Sequence, residues 1–167
     1  LDNTLAPIRY QDGRGVMLMP IVVAGQTGGQ TFTVNYTNSD GVSGRVTPPV
    51  IMSTQALNGT VLHSQSSGAD RGGPFLPLQG NDSGVRSVQS VTIGGVGDVG
   101  LFSLVMVKPL ATLALRGIDA PTEVDYLTDC GTSLPNIIDD AYLNFVVLPV
   151  GTLAAAQILG TIETTWG

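Results

Sequence analysis

The hydrophobic positions of this chain alternate with polar ones or occur in short runs, and helical spacing is scarce. The clearest alternation lies at residues 30–37, where three apolar side chains are separated by Thr and Asn. Asp40-Gly41 follows, and this pair favours a hairpin turn because both residues tolerate positive φ. Residues 42–48 then return as the partner strand, which a double proline ends. The segment is therefore predicted to be a β-hairpin.

Other short β-branched segments, bounded by Gly, Pro, Asn and Asp, are also predicted to be strands. They lie at residues 15–23, 59–65, 85–93, 99–107, 111–117, 122–127, 142–149 and 158–166. Pro20 indicates a sheet edge or a bulge in the first of them. One short helix is predicted at 133–141, where Ser133 suits the N-cap and Pro135 the first turn. The predicted fold is all-β, an antiparallel β-sandwich or jelly-roll-like barrel with at most one short helix.

The 167 residues are enough for one domain with a substantial core. We expect a single β domain at 15–167, preceded by an extended N-terminal arm at 1–14 that has little regular pattern. Residues 64–84 form a long irregular stretch, and loops of this length usually have a function or a binding partner. Its apolar side chains either pack beneath the loop or dock into a neighbouring subunit.

The glycines at 95–100 form a literal G-x-G-x-x-G after a predicted strand, and Asp119 follows near the spacing of a ribose-binding acid. A dinucleotide site also requires a long amphipathic helix directly after the glycines. The residues that follow show no polar face at the helical period and soon reach Pro109. We therefore interpret the glycines as a turn or bulge between the strands on either side.

The composition indicates a neutral surface. Charged residues make up 12% of the chain, about half the usual share of roughly 25%, whereas 43% of the residues are hydrophobic and 22 are Gly. A neutral surface favours burial against a partner, because charge is what keeps soluble chains apart. The net charge is −6 and the seven basic residues are scattered singly, so the sequence argues against direct nucleic-acid binding.

Residues able to carry catalysis or bind metal are few. His63 is the only histidine and Cys130 the only cysteine, which leaves one possible base for a hydrolytic triad and excludes a disulfide within the chain. The acidic residues do not follow the spacing of a calcium loop. They are Glu123, Asp125, Asp129, Asp139 and Asp140. We expect a protein that is not an enzyme, with no cofactor and no metal, and the apolar runs are too short for a membrane span.

Two segments resemble those of known virion proteins. The stretches VNYTNSDGVSGRVTP at 34–48 and AYLNFVVLPVGTLAAAQILGTIETTWG at 141–167 are similar to head decoration or cement proteins of tailed bacteriophages. In such proteins a polar hairpin and a closing strand that ends in an aromatic residue recur, and Trp166 occupies that place here. The resemblance implies a β-sandwich or jelly-roll that binds an icosahedral shell, often as a dimer or trimer, and clamps adjacent capsid subunits.

The function expected from these observations is that of a structural protein on the capsid exterior of a phage particle, assembled in the host cytoplasm, with the major capsid protein as partner. Self-association into a dimer or trimer is part of this expectation. The candidate subunit contacts are Leu5, Ile8, Tyr10, Phe75, Leu76 and Leu78. The alternative is a tail-associated or adhesin-like module that binds a host glycan or receptor. The small aromatic content (one Trp, four Tyr and four Phe) argues weakly against it.

Overall fold

The computed structural model describes residues 9–25, 27, 29–52, 58–62, 73–95, 100–115, 120–126, 128, 135–147 and 158–164. Within these ranges the chain forms strands and no helix. The strands are β1 (Met17–Ala24), β2 (Thr31–Asn38), β3 (Arg45–Val46), β4 (Val50–Ile51), β5 (Val85–Gly94) and β6 (Leu101–Val107). Every pairing between them is antiparallel, so the all-β prediction is confirmed.

The larger sheet is built around β2. Strand β5 pairs along one edge of β2, and the short strands β3 and β4 pair with different parts of its other edge. The predicted alternation of β2 is observed: Phe32, Val34 and Tyr36 are fully buried, while the residues between them are half-exposed. One face of this sheet therefore forms the core and the other faces outward.

The turn after β2 is the predicted hairpin. The amide of Gly41 donates to the carbonyl of Asn38 (3.0 Å), and Gly41 has a φ of +82°, which glycine adopts without steric cost. The side-chain oxygen of Asn38 also accepts from the amides of Asp40 (3.1 Å) and Val42 (2.9 Å). The Asn38 side chain thus fixes the turn from its first position.

Thr47 joins β3 to β4 across the double proline. Its amide donates to the carbonyl of Val34 (3.0 Å), and its hydroxyl accepts from the amide of Val34 (3.0 Å). The buried Thr47 side chain therefore takes a place in the ladder that a backbone carbonyl would occupy in a regular strand.

The smaller sheet contains β1 and β6. Strand β1 has a register irregularity between Val22 and Ala24. Its other edge accepts from loop amides, with Leu62 donating to the carbonyl of Pro20 and Gly59 to that of Val22 (both 2.8 Å). Pro20 is thus tolerated in a strand that has a single full partner strand among the described residues.

The two sheets pack face to face, and their inner side chains form the core. The rings of Phe32 on β2 and Phe102 on β6 lie 4.9 Å apart between centroids. The buried core residues are Leu18, Val22, Phe32, Val34, Tyr36, Val50, Met52, Leu62, Leu76, Val85 and Val88. Two separate sheets enclosing one core make a sandwich, and no closure into a barrel is found among the described residues.

The glycine-rich segment connects the two sheets. Strand β5 ends at Gly94 and β6 begins at Leu101, with positive φ at Gly95 (+113°) and Gly100 (+144°). A strand follows the last glycine where a dinucleotide site needs a helix, which excludes that interpretation. The glycines lie between two strands, as predicted. These strands belong to different sheets, because β5 pairs with β2 and β6 with β1, and residues 96–99 lie outside the described residues.

Several predicted elements are absent from the described residues. The predictions of strands at 111–117, 122–127, 142–149 and 158–166 are wrong for the parts described, which are irregular. At 59–65 the described part contributes only a single bridge, between Val61 and Ile21. The predicted helix at 133–141 is replaced at 135–141 by irregular chain with one turn, because so short a helix repays its nucleation cost poorly. A segment with high strand propensity forms a strand only where a neighbouring strand is available for pairing.

Candidate functional site

Of the candidate contact residues in the N-terminal arm, the structure describes Tyr10. Leu5 and Ile8 lie outside the described residues. The hydroxyl of Tyr10 donates to the carbonyl of Asn136 (2.9 Å) and accepts from the amide of Ile138 (3.4 Å). The ammonium of Lys108, just after β6, lies 4.3 Å from the centre of the Tyr10 ring. Tyr10 therefore joins residues 136–138 to the end of β6 within one chain.

The end of the predicted arm belongs to the body of the domain. Arg14 forms a bridge with Gly84, and Gly13 is buried against the start of β5. A Cβ atom at Gly13 would lie 2.6 Å from the carbonyl oxygen of Val85. Residues 10–14 thus form a turn that packs against the start of β5 at Gly13, whereas the predicted arm at 1–8 lies outside the described residues.

The apolar residues of the 73–84 loop are used inside the chain. Leu76 is fully buried in the core, and its amide donates to the carbonyl of Leu18 (2.8 Å). Leu78 packs against the same core, and Phe75 is half-buried. Leu76 presents no exposed surface to another subunit, so the prediction that it is a subunit contact is corrected. The loop directs this side chain into the core of its own chain.

A polar cluster at the other end of this loop surrounds Asp82. One carboxylate oxygen accepts from the Tyr36 hydroxyl (2.6 Å) and from Nε of Arg45 (2.8 Å). The second oxygen accepts from the side-chain amide of Asn38 (2.8 Å) and from Nη2 of Arg45 (3.2 Å). The Asp82 side chain is 7% exposed and that of Arg45 27%. This bidentate, nearly buried ion pair joins the loop to β2 and β3.

The same contacts shift the ionisation of two groups. The hydrogen bond from Arg45, helped by those from Tyr36 and Asn38, lowers the pKa of Asp82 to about 2. Burial, followed by the hydrogen bond to Asp82, raises the pKa of Tyr36 to about 12. The hydrogen bond to Asp82 likewise raises the pKa of Arg45. Asp82 is therefore ionised and Tyr36 neutral at every physiological pH.

The Asp82 cluster holds structure in place rather than performing chemistry. The amide of Gln79 donates to the Tyr36 hydroxyl (2.8 Å), so that oxygen is engaged as donor and as acceptor. An ionised carboxylate with four donors and a tyrosine held neutral offer neither a base nor a nucleophile poised near neutral pH. Among the described residues, no group of three or more His, Cys, Asp or Glu side chains is placed to hold a metal ion.

Only one member of this cluster is indicated by a pattern in the sequence. Tyr36 occupies an inward position of the alternating strand, and a buried tyrosine hydroxyl usually requires a partner. Nothing in the spacing connects it with Arg45 or Asp82, which lies in the irregular stretch. Only the fold of the loop over the end of β2 brings the three together.

The outward face of β2 and β5 is rich in hydroxyl groups, and the exposed Arg86 is the charged residue of β5. The side-chain amide of Gln89 on this face donates to the hydroxyls of Thr37 (3.0 Å) and Ser87 (2.8 Å). Cross-strand pairs on this face include Thr33 with Thr92 and Asn35 with Ser90. It is a small polar surface without an aromatic ring, metal-ligand group or ion pair among those residues.

Many of the exposed large apolar side chains lie in the C-terminal third. Large apolar side chains there are exposed and lie in irregular backbone, and extensive exposed apolar surface is uncommon in a monomeric protein. We call these residues the C-terminal apolar surface: Leu113, Leu115, Val124, Tyr142, Leu143, Phe145, Val146, Val147, Ile158, Leu159 and Ile162. Tyr142 is 89% exposed, Phe145 73% and Leu159 89%. None of these residues was among the predicted contacts, because the sequence predicted that all of them lie in strands.

No helix among the described residues is long and apolar enough to cross a membrane. Comparisons with family models, with curated proteins and with solved structures find no match to this chain.

Proposed function

We propose that this protein is a non-enzymatic structural subunit that functions in a symmetric assembly of its own copies. The observation that carries the proposal is the C-terminal apolar surface. Exposed side chains such as Tyr142, Phe145 and Leu159 leave water only if another molecule covers them, and their burial is favourable by about 25 cal/mol per Å². The low charge of the chain reduces the repulsion that would oppose contact between copies.

The more specific form of this proposal is a decoration or cement protein on the exterior of a phage head. It rests on the resemblance of residues 34–48 and 141–167 to such proteins. A small sandwich that repeats around a symmetry axis gains durable attachment from many weak contacts, so extensive charge is not required. In this form the partner of the assembled surface is the major capsid protein.

Light scattering behind size exclusion, over a hundredfold range of concentration, tests the general proposal. We expect a closed dimer or trimer with a mass that does not change across the range. A monomer at every concentration would contradict it. If the oligomer is found, co-sedimentation with undecorated phage heads tests the specific form, and a capsid of unrelated lattice serves as the control.

A second candidate function is recognition of a glycan. The observation that favours it is the pair of exposed aromatic rings of Tyr142 and Phe145, since aromatic faces pack against the apolar faces of sugars. Binding in a glycan array that is lost in Tyr142→Ala and Phe145→Ala, but retained in Leu159→Ala, would favour this function over assembly.

A further inference from the structure

The edge of β6 is open to a further strand. Among the described residues, β6 pairs with β1 on one side and with no strand on the other. Its seven residues, Leu101–Val107, include no charged side chain and no proline. Edge strands usually carry such residues, or are very short, to prevent pairing with another chain. The β6 edge lacks these protections and is suited to strand addition.

A strand-like segment of the same chain is exposed and outside any sheet. Residues 142–147, with the sequence YLNFVV, are irregular in backbone and uncharged. In an extended conformation, Leu143, Phe145 and Val147 would share one face, because side chains alternate along a strand. The inward residues of β6 are the similarly apolar Phe102, Leu104 and Met106. A strand of 142–147 beside β6 would therefore extend the apolar inner layer by one row.

The base of the segment is fixed near the far end of β6. Tyr10 binds Asn136 and Ile138 and is covered by Lys108, which follows the last residue of β6. Beyond this anchor the side chains of the proposed face are exposed, with Leu143 43%, Phe145 73% and Val147 48% exposed. The segment therefore begins at a fixed point and carries exposed apolar side chains, and no strand among the described residues pairs with the second edge of β6.

We infer that residues 142–147 of one copy add as a strand to the free edge of β6 in another copy. This inference rests on the proposed function, because it names the contact that holds the assembly together. Strand addition pairs the exposed backbone groups of both partners, and it buries Leu143, Phe145 and Val147 over the inner layer of β6. Because neither side of the contact carries a charge, no like-charge repulsion opposes it.

Intermolecular cysteine crosslinking tests the contact directly. All variants carry Cys130→Ser, so that each has only the introduced thiol. One protein carries Ser103→Cys at an outward, exposed position of β6, and a second carries Asn144→Cys, which alternation would place on the same outward face. Because each protein has one cysteine at a different site, a disulfide between them must join two copies. Tyr142→Cys and Val146→Cys cover the neighbouring registers.

The expected result is a crosslinked heterodimer from Ser103→Cys mixed with at least one of the three segment variants. A mixture of Ser103→Cys with Ser43→Cys, at an exposed position in the β2–β3 hairpin, is the matched control and should crosslink at least about tenfold less. Equal crosslinking with the control, or none in any register while the wild-type chain remains oligomeric, would overturn the inference and leave the proposed function standing.

A charge placed on the inward face gives a second, independent test. Phe145→Asp would bring a carboxylate into the apolar layer, so we expect the dissociation constant of the oligomer to rise at least about tenfold. Val42→Asp replaces an exposed apolar residue of the β2–β3 hairpin, outside the C-terminal apolar surface, and should leave the constant within about twofold. Equal weakening by both substitutions, or by neither, would overturn the assignment to residues 142–147. A monomeric wild-type chain would instead contradict the proposed function.

Discussion

At the residue scale, the chain is held together by a few buried polar groups whose partners come from distant parts of the sequence. Asp82 binds Tyr36, Asn38 and Arg45, and so fixes the 73–84 loop to β2 and β3. The inward alternation of Tyr36 was predictable from the sequence. Its partner was not, because a carboxylate in an irregular stretch has no pattern that indicates where the loop will place it.

Acid should remove the stabilisation from Asp82. Because its pKa is held at about 2, below the ordinary value of 3.8, the folded state favours the ionised form. The stabilisation is complete above about pH 4 and is lost as pH falls from there through 2. Asp82→Asn should cost about 2 kcal/mol near pH 7 and flatten the pH dependence in this window. Urea unfolding at a series of pH values measures both effects.

The control for Asp82 is Asp40→Asn, an exposed aspartate in the hairpin turn where asparagine also suits the conformation. It should retain the acid dependence of the wild-type chain. An Asp82→Asn variant that loses stability in parallel with the wild-type chain between pH 4 and pH 2 would show that other carboxylates cause the dependence.

Gly13 provides a test of packing separate from backbone strain. Gly13 and Gly44 have nearly equal φ, +70° and +73°, but a Cβ at Gly13 meets the backbone of Val85 and Arg86 at 2.6–2.7 Å, whereas one at Gly44 meets nothing within 4 Å. Gly44→Ala should cost about 1 kcal/mol from φ alone, and Gly13→Ala about 2 kcal/mol more from overlap with the backbone. Thermal unfolding of both variants measures the difference, and equal costs would contradict the packing of residues 10–14 on β5.

At the element scale, the strands that the sequence predicted correctly are those whose alternation or apolar run coincides with a partner edge. Residues 31–38, 85–94 and 101–107 form strands close to their predicted bounds. The segments at 142–147 and 158–164 have similar composition but no strand in the structure. Composition indicates the tendency of a segment to lie in a sheet, but a strand forms only where a partner edge is present. Residues 142–147 and 158–164 pair with no strand among the described residues of the chain.

Substitution of Thr47 tests how the chain between β3 and β4 is held to β2. Thr47→Val preserves the shape of the side chain but removes the hydroxyl that accepts from the amide of Val34. The buried amide is then left without that acceptor, which should cost about 1–2 kcal/mol in chemical unfolding. Thr33→Val, on the half-exposed outer face of β2, is the matched control and should change stability by less than about 0.5 kcal/mol. Equal effects would mean that the Thr47 bond adds nothing.

At the scale of the whole molecule, the strands of the β-sandwich end at Val107, and the described residues of the C-terminal third add no strand to it. The larger sheet, β1, β6 and the 73–84 loop enclose a buried cluster. Beyond Lys108, the described residues are irregular and expose many large apolar side chains. This division explains why the fold class was predictable while the contact surface was not: alternation identifies residues that leave water, but not whether their own chain or another copy covers them.

We propose that other copies of the chain cover the C-terminal apolar surface, and hydrogen–deuterium exchange of residues 142–147 measures this coverage. The full chain is measured at concentrations above and below the dissociation of its oligomer, with the β2 amides as internal reference. We expect slow exchange at 142–147 in the oligomer, fast exchange in the dilute protein, and unchanged protection of β2. Fast exchange at 142–147 at every concentration, in a chain that light scattering shows to be oligomeric, would contradict it.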